Sequence, residues 1–327
     1  MTRADGERPV FIVGVGRSGT TLMRAMLDGH PRLAIAAESL LILRLDDRRG
    51  LMRFGRPTSL NDILADEGVR GWGLHPGRIR DHVATVAPRT YPELVSAVFS
   101  AWASRRGRAR WGQKMPRYVE HIDRLSAMFP GAQFIHMVRD GRDVAASRSE
   151  RSWGPSSAVV SALQWRRGVS MGHGSGGRLG PDRYLEMRLE DLITDPGEQL
   201  RKVCFFLGED YESAMLDYPE RVTWARGSSD HQHLDSAPTP GLRSWRTGLS
   251  AREQRGVEAV CRRWLVRLGY PPAPVTPIGL TTAWLASLPW SFDRSRAWLG
   301  WQLSPVAGGV RRIRRESDAT TAVPPAD

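Results

Sequence analysis

Short continuous apolar runs alternate along this chain with stretches whose apolar residues recur at helical spacing. Val10, Phe11, Ile12 and Val13 form the first run, the pattern of a parallel strand buried on both faces. From Thr20 to Asp28, Leu22, Met23, Met26 and Leu27 share a helical face, and Gly29 with Pro31 ends the helix. Leu33 to Ala36 predicts a second short strand leading to Glu38. Residues 44 to 112 are rich in Arg, Asp and Gly with broken periodicity, and include the turn-like Leu74-His75-Pro76-Gly77. They predict short helices over the substrate side. Gln113-Lys114-Met115-Pro116 reads as a loop, and Val119, Ile122, Leu125 and Phe129 as a helix stopped by Pro130-Gly131. Phe134 to Val138 is another buried strand, running into Arg139-Asp140-Gly141-Arg142-Asp143 and a helix through Ala145, Ala146 and Ser147.

A helix is expected over Ala158 to Met171, then a flexible glycine-rich loop from Gly172 to Gly180, then a strand from Tyr184 to Leu189. Asp195-Pro196-Gly197-Glu198 has the form of a capping box with proline at the first helical position. Ser250 to Glu253 repeats that signal before Val257, Val260, Cys261, Trp264, Leu265 and Leu268, the cleanest amphipathic helix in the chain. Strands alternating with helices predict an α/β fold, a P-loop-type parallel sheet with helices on both faces. The domain is expected over 1–270. Residues 271–327 form a Pro-, Trp- and Arg-rich extension, partly disordered. Its Trp284, Trp290, Trp298 and Trp301 either pack on the main domain, the reading we favour, or make a weak membrane-surface contact.

The first strand and first helix are joined by Gly14, Gly16, Ser18 and Gly19, a loop able to turn sharply and expose backbone N–H groups. Unpaired N–H groups and the positive end of the helix then point the same way, which suits an anion. A helix start without any ligand is the plain alternative. The spacing Gly14 to Gly19 is that of the Walker pattern, but Thr20 stands where its lysine should be. Lacking that lysine, the loop is a poor cradle for a γ-phosphate and its magnesium. One or two oxyanions suit it better, with Arg17 adding charge and Ser18, Thr20 and Thr21 adding hydroxyls.

Ligands of open parallel sheets bind at the carboxyl ends of strands. Arg139 would therefore project into the same crevice, as a planar charged fork for a phosphate, with Ser147 two turns along the next helix as a neutral donor. A structural ion pair with Asp140 or Asp143 is the competing reading of Arg139. His136 reads as a core histidine. His231-Gln-His233 is a weak metal signal, and we assign no metal site. Arg243, Ser244, Trp245 and Arg246 are candidates for a loop closing over a nucleotide.

Over 327 residues the formal net charge is +12 and the pI about 10.7. Of the 47 basic residues 45 are arginine, a bias of genome composition more than of chemistry. Nucleic-acid-binding patterns are absent, so anionic small ligands are favoured over nucleic acid. Cys204 and Cys261 each fall within an apolar helical pattern, as buried thiols in a reducing cytosol do. With no signal peptide and no spanning apolar run, a cytoplasmic location is expected.

The pair GVGRSGTT and VRDGR…S resembles the 5′-phosphosulfate loop and 3′-phosphate motif of sulfotransferases that use 3′-phosphoadenosine-5′-phosphosulfate (PAPS). RSGTTLMRAMLDGHP is similar to the tyrosylprotein sulfotransferase branch nearly residue for residue, and the resemblance spans roughly residues 8 to 270. It implies PAPS as co-substrate without a required metal. Gly16, Arg17, Ser18, Gly19, Thr20 and Thr21 would lie on the 5′-phosphosulfate, and Arg139 and Ser147 on the 3′-phosphate. Glu38 falls on the branch's catalytic base, and Lys114 on the lysine of its Asn-Lys-Asp-Pro segment, here Gln-Lys-Met-Pro. Lys114 and Arg17 would stabilise charge on the leaving nucleotide. The branch's Gly-Glu-Glu-x-Arg segment reads Ala36-Ala37-Glu38-Ser39-Leu40, so its arginine is lost, and the tyrosine before Glu190 is Leu189. Branch members acting on secreted proteins are membrane-anchored in an oxidising lumen, whereas neither anchor nor disulfide spacing is seen here. The acceptor class therefore stays open, a hydroxyl of a small molecule, lipid or glycan being expected at least as much as the alternative, a peptide tyrosine, and a homodimer is left open. A nucleotide-dependent kinase and a non-catalytic nucleotide-binding homologue are the competing functions.

Overall fold

The computed structural model describes residues 8–39, 41–43, 57–151, 154–155, 157–222, 234 and 244–273. The extension beyond 273, His231, His233 and Arg243 lie outside them. Two compact units divide the chain: Met1–Arg139 with Arg167–Leu242, and Asp140–Arg166 with Arg243–Asp327.

The first unit holds a five-stranded sheet: β1 (Val10–Gly14), β2 (Leu33–Ala36), β3 (Arg110–Lys114), β4 (Gln133–Val138) and β5 (Tyr184–Arg188). The spatial order is β2-β3-β1-β4-β5 and every neighbouring pair is parallel. Every residue of β1 to β4 is buried, which is why β1, β2 and most of β4 are apolar on both faces. Alternate residues feed separate cores. Phe11, Val13, Trp111 and Phe134 join one, and Val10, Ile12, Ile35, Ile135 and Met137 join the other. In the first core Phe11 stacks on Phe134 at 5.4 Å and meets the edge of Trp111 at 6.0 Å. The helix Tyr91–Arg105 seals that side, opened by a full capping box of Thr90 and Glu93. The helix Thr20–Leu27 buries Met23, Met26 and Leu27 in the second core.

Four expectations need correction. Lys114 does not lie in a loop. It closes β3, whose sequence Arg-Trp-Gly-Gln-Lys looks polar but whose Arg110, Gln113 and Lys114 side chains all donate to partners within the protein. Arg110, for instance, donates to the carbonyls of Arg8 (2.6 Å) and Leu207 (2.9 Å) and to Gln133 Oε1 (2.5 Å). Leu74 to Gly77 is no free turn, since the His75 ring caps the helix Pro76–Val86 through Gly77 N–H. Leu189 begins the helix Leu189–Thr194 instead of ending β5. The stretch Gly172 to Gly180 is no flexible loop either, because the helix continues through it as Ala158–Leu179.

Those helical glycines allow close approach to the sheet. A Cβ on Gly172 would sit 2.6 Å from the His136 ring, and one on Gly176 would sit 2.3 Å from the Tyr184 ring. Each glycine costs about 1 kcal/mol of helix propensity against alanine, offset by packing against β4 and β5. Beneath them His136 Nδ1 pairs with Tyr184 Oη at 2.5 Å, and that hydroxyl donates to Glu186 at 3.1 Å. His136 is thus a core histidine, though its Nε2 has no partner among the described residues.

In the second unit Arg142, at the start of the helix Gly141–Ser149, pairs with Asp140 (2.7 Å) and Glu258 (3.0 Å). The guanidinium groups of Arg142 and Arg246 each lie over the Trp245 ring, 4.5 Å from a centroid. The helix Ala251–Arg267 opens on the capping box of Ser250 and Glu253 and buries Cys261. Among the described residues no helix is long and apolar enough to cross a membrane.

Candidate active site

The chain leaves β1 toward β3 and β2 but passes from β4 toward β5. The carboxyl ends of β1 and β4 therefore border the crevice where connections diverge. Gly14 to Gly19 occupies the first of these ends. Gly14 must be glycine, because at φ +153° an added Cβ would lie 2.4 Å from the Met137 carbonyl oxygen of β4. Gly19, at φ +84°, faces Leu189 Cδ1 at 2.4 Å in the same sense. Arg17 has no such licence yet takes φ +79°, a left-handed conformation costing about 1–2 kcal/mol. Strain of that kind persists only where the surroundings enforce it. Gly16 leaves the outer side of the turn open, with nothing within 4 Å of an added Cβ.

Gly19 precedes the helix Thr20–Leu27 without any side-chain cap, so the first-turn N–H groups keep their capacity for an acceptor. Ser18 is buried and its Oγ has no hydrogen-bond partner among the described residues, an orphan donor at the same helix end. At the second strand end, Arg139 turns its guanidinium toward the loop, Nη1 donating to the Arg17 carbonyl at 3.3 Å. Arg17, Ser18, Gly19, Thr20, Thr21 and Arg139 are thus brought together. Ser147 is placed on the helix Gly141–Ser149 of the second unit, fully buried.

Pairing of β2 with β3 brings Glu38 and Lys114 together across 76 positions of sequence. Lys114 Nζ donates to the Glu38 carboxylate and, at 3.1 Å, to Thr21 Oγ1. The pair is asymmetric: the Lys114 side chain is 4% exposed and that of Glu38 51%. Burial lowers the pKa of the Lys114 ammonium, Glu38 offsets part of that shift, and the charge of Arg24 adds to it. A largely desolvated cation thus meets the first turn of the helix Thr20–Leu27 while a carboxylate faces solvent beside it. Sequence reasoning passed over three residues around this pair. Arg24 Nε donates to Ile35 O at 3.0 Å, and Gln113 Nε2 and Tyr118 Oη donate to Ser39 O at 3.0 and 3.1 Å. The available signal was an arginine set among the apolar residues of the first helix.

Fold and site together define an α/β protein whose uncapped glycine-loop helix start suits an anion, with a carboxylate and a buried lysine alongside. The chain belongs to the sulfotransferase family: residues 9–213 match the family described as "Sulfotransferase family". It is 28% identical over 223 residues to the protein-tyrosine sulfotransferase of Drosophila melanogaster, covering 67% of this chain and 41% of that protein. With protein-tyrosine sulfotransferase 1 of Danio rerio it shares 27% identity over 275 residues, 80% of this chain and 72% of the relative. Nodulation protein NoeE of Sinorhizobium fredii is 27% identical over 309 residues, covering 83% and 68%. The chain spans less than half the length of the Drosophila relative. In fold it is similar to the sulfotransferase domain of the Synechococcus PCC 7002 olefin synthase, with a TM-score of 0.54, 23% identity and coverage of 88% and 97%.

Proposed function

We propose that this chain transfers the sulfuryl group of PAPS to an acceptor hydroxyl, with Glu38 as the general base. The observation that carries the reading is the contact of one buried lysine with both Glu38 and the phosphate loop. A base and a charge-stabilising cation stand together at the helix start that would hold the donor. The orphan Ser18 hydroxyl and the uncapped helix fit a 5′-phosphosulfate, and Arg139 beside the loop fits the 3′-phosphate. The role of Ser147 in the same grip rests on the sequence motif.

A transferring sulfuryl group carries one negative charge fewer than a phosphoryl group, so fixed cations and N–H donors can meet its needs without magnesium. That agrees with threonine in place of the Walker lysine. The acceptor oxygen attacks sulfur in line while Glu38 takes the hydroxyl proton. The S–O bond to the bridging oxygen breaks, and Lys114 and Arg17 offset the charge left on it. The products are the sulfated acceptor and 3′,5′-adenosine bisphosphate.

The test is Glu38→Gln, assayed with labelled PAPS against a panel of tyrosyl peptides, glycans, lipids and small hydroxyl compounds. Removing a general base lowers turnover by about 10²–10⁴-fold, while calorimetric affinity for 3′,5′-adenosine bisphosphate stays at the wild-type value. Undiminished turnover in the variant overturns the assignment. Magnesium-dependent ATP turnover by the wild type would favour a kinase instead.

A further inference from the structure

Glu38 lies in a short span fastened at both ends. On its amino-terminal side Ile35 belongs to β2, which among the described residues is an edge strand paired with β3 alone. An edge strand presents backbone groups with no strand to receive them. Here two side chains one turn apart, Arg24 on the helix Thr20–Leu27 and Asp28 at its C-cap, meet both backbone groups of Ile35. Arg24 Nε donates to its carbonyl at 3.0 Å, and Asp28 Oδ1 accepts its N–H at 3.1 Å. Asp28 is in turn gripped by both terminal nitrogens of Arg106, at 2.9 and 2.8 Å. On the carboxyl-terminal side the Ser39 carbonyl accepts from Gln113 Nε2 and Tyr118 Oη. The Ser39 hydroxyl donates to Asp66 at 3.1 Å.

We infer that Arg24 and Asp28, with Gln113 and Tyr118 at the other end, form a positioning bracket that sets where the Glu38 carboxylate stands. The inference rests on Glu38 being the base. None of the bracket residues is asked to touch substrate; they act through the backbone on either side of Glu38. An exposed carboxylate on an unfastened strand end would sample positions outside hydrogen-bond reach of the acceptor. Misplacement by about 1 Å is enough to cost about 10²-fold in rate.

The experiment measures kcat, donor KM and affinity for 3′,5′-adenosine bisphosphate in the full chain carrying Arg24→Gln, Asp28→Ala, Asp28→Asn or Tyr118→Phe. Arg24→Gln and Asp28→Ala are expected to lower kcat by about 10–100-fold with donor KM and bisphosphate affinity within about twofold of wild type. Asp28→Asn keeps an acceptor oxygen for Ile35 and recovers most of the loss. Tyr118→Phe leaves Gln113 on the Ser39 carbonyl and gives a smaller kcat loss with the same unchanged binding. Should Arg24→Gln fail to fold, the Asp28 pair decides alone. A kcat within twofold of wild type in Arg24→Gln or Asp28→Ala overturns the bracket, as does a loss that tracks nucleotide affinity. If Glu38→Gln destroys turnover while these variants keep it, the bracket falls and the base assignment stands.

Discussion

Replacing Lys114 by methionine separates what the lysine does for catalysis from what it costs the fold. Methionine keeps most of the stem, removes the ammonium, and leaves Glu38 without its partner. Glu38 is half exposed, so water takes over its solvation and the loss of an exposed pair costs no more than about 1 kcal/mol. The desolvation burden of Lys114 disappears at the same time, and exchanging a buried ion for an apolar side chain of similar volume is neutral or stabilising by about 1–4 kcal/mol. The balance predicts a melting temperature unchanged or raised by about 2–4 °C at neutral pH. Turnover, by contrast, falls by about 10²–10³-fold, the usual loss for one preorganised donor on developing negative charge.

The stability difference also depends on pH. Burial holds the ammonium below the ordinary lysine value of 10.5, so the unfolded chain takes up that proton first as pH falls. Wild-type stability is therefore reduced below the folded value and recovers as pH rises through it toward 10.5. The advantage of Lys114→Met is greatest near neutrality and shrinks in alkaline buffer. Thermal melts across pH, read beside labelled-PAPS turnover, decide the matter. A neutral-pH melting temperature lowered by more than about 6 °C would show the lysine to be a structural tie, and turnover within threefold of wild type would remove it from the chemistry.

Arg139→Ala should weaken 3′,5′-adenosine bisphosphate binding by about 10-fold or more and leave a nucleotide without the 3′-phosphate little affected; equal wild-type affinity for the two nucleotides contradicts the assignment. Gly176→Ala forces a Cβ against the Tyr184 ring, 2.3 Å away, and is expected to destabilise by about 1–3 kcal/mol in denaturant melts, whereas a flexible glycine loop would tolerate it. Burial pushes the Cys204 thiol up to about 11 and the Cys261 thiol well above its ordinary range, so both should resist thiol reagents at pH 8 until the chain unfolds. Fast labelling of the folded protein would contradict their burial.

Four of the five strands were legible, Val10–Val13, Leu33–Ala36 and Phe134–Val138 as the unbroken apolar runs that burial on both faces demands and Tyr184–Leu189 to within one residue of β5. β3 escaped detection because Arg110, Gln113 and Lys114 are polar residues whose partners lie far away in sequence. Gly172 to Gly180 misled for the opposite reason: glycine signals flexibility locally, and only the rings of His136 and Tyr184 show why a helix needs it there. The Gly14–Gly19 loop was legible as a sharp turn, since strand, glycines and helix are contiguous, but the left-handed backbone of Arg17 was not. Glu38 and Lys114 drew notice only through resemblance, as it takes the β2–β3 pairing to join them. Arg24 and Asp28 lay inside the RSGTTLMRAMLDGHP resemblance with no role attached, because they serve the backbone of a strand that becomes an edge in the folded sheet.

The central claim is that one site grips a bisphosphorylated adenosine and moves its sulfuryl group without a metal. Its most direct test is incubation of the full chain with 35S-labelled PAPS and the acceptor panel in excess EDTA. Transfer of label to an acceptor hydroxyl with release of 3′,5′-adenosine bisphosphate is the predicted result. No transfer to any acceptor, together with no measurable binding of 3′,5′-adenosine bisphosphate, would contradict it.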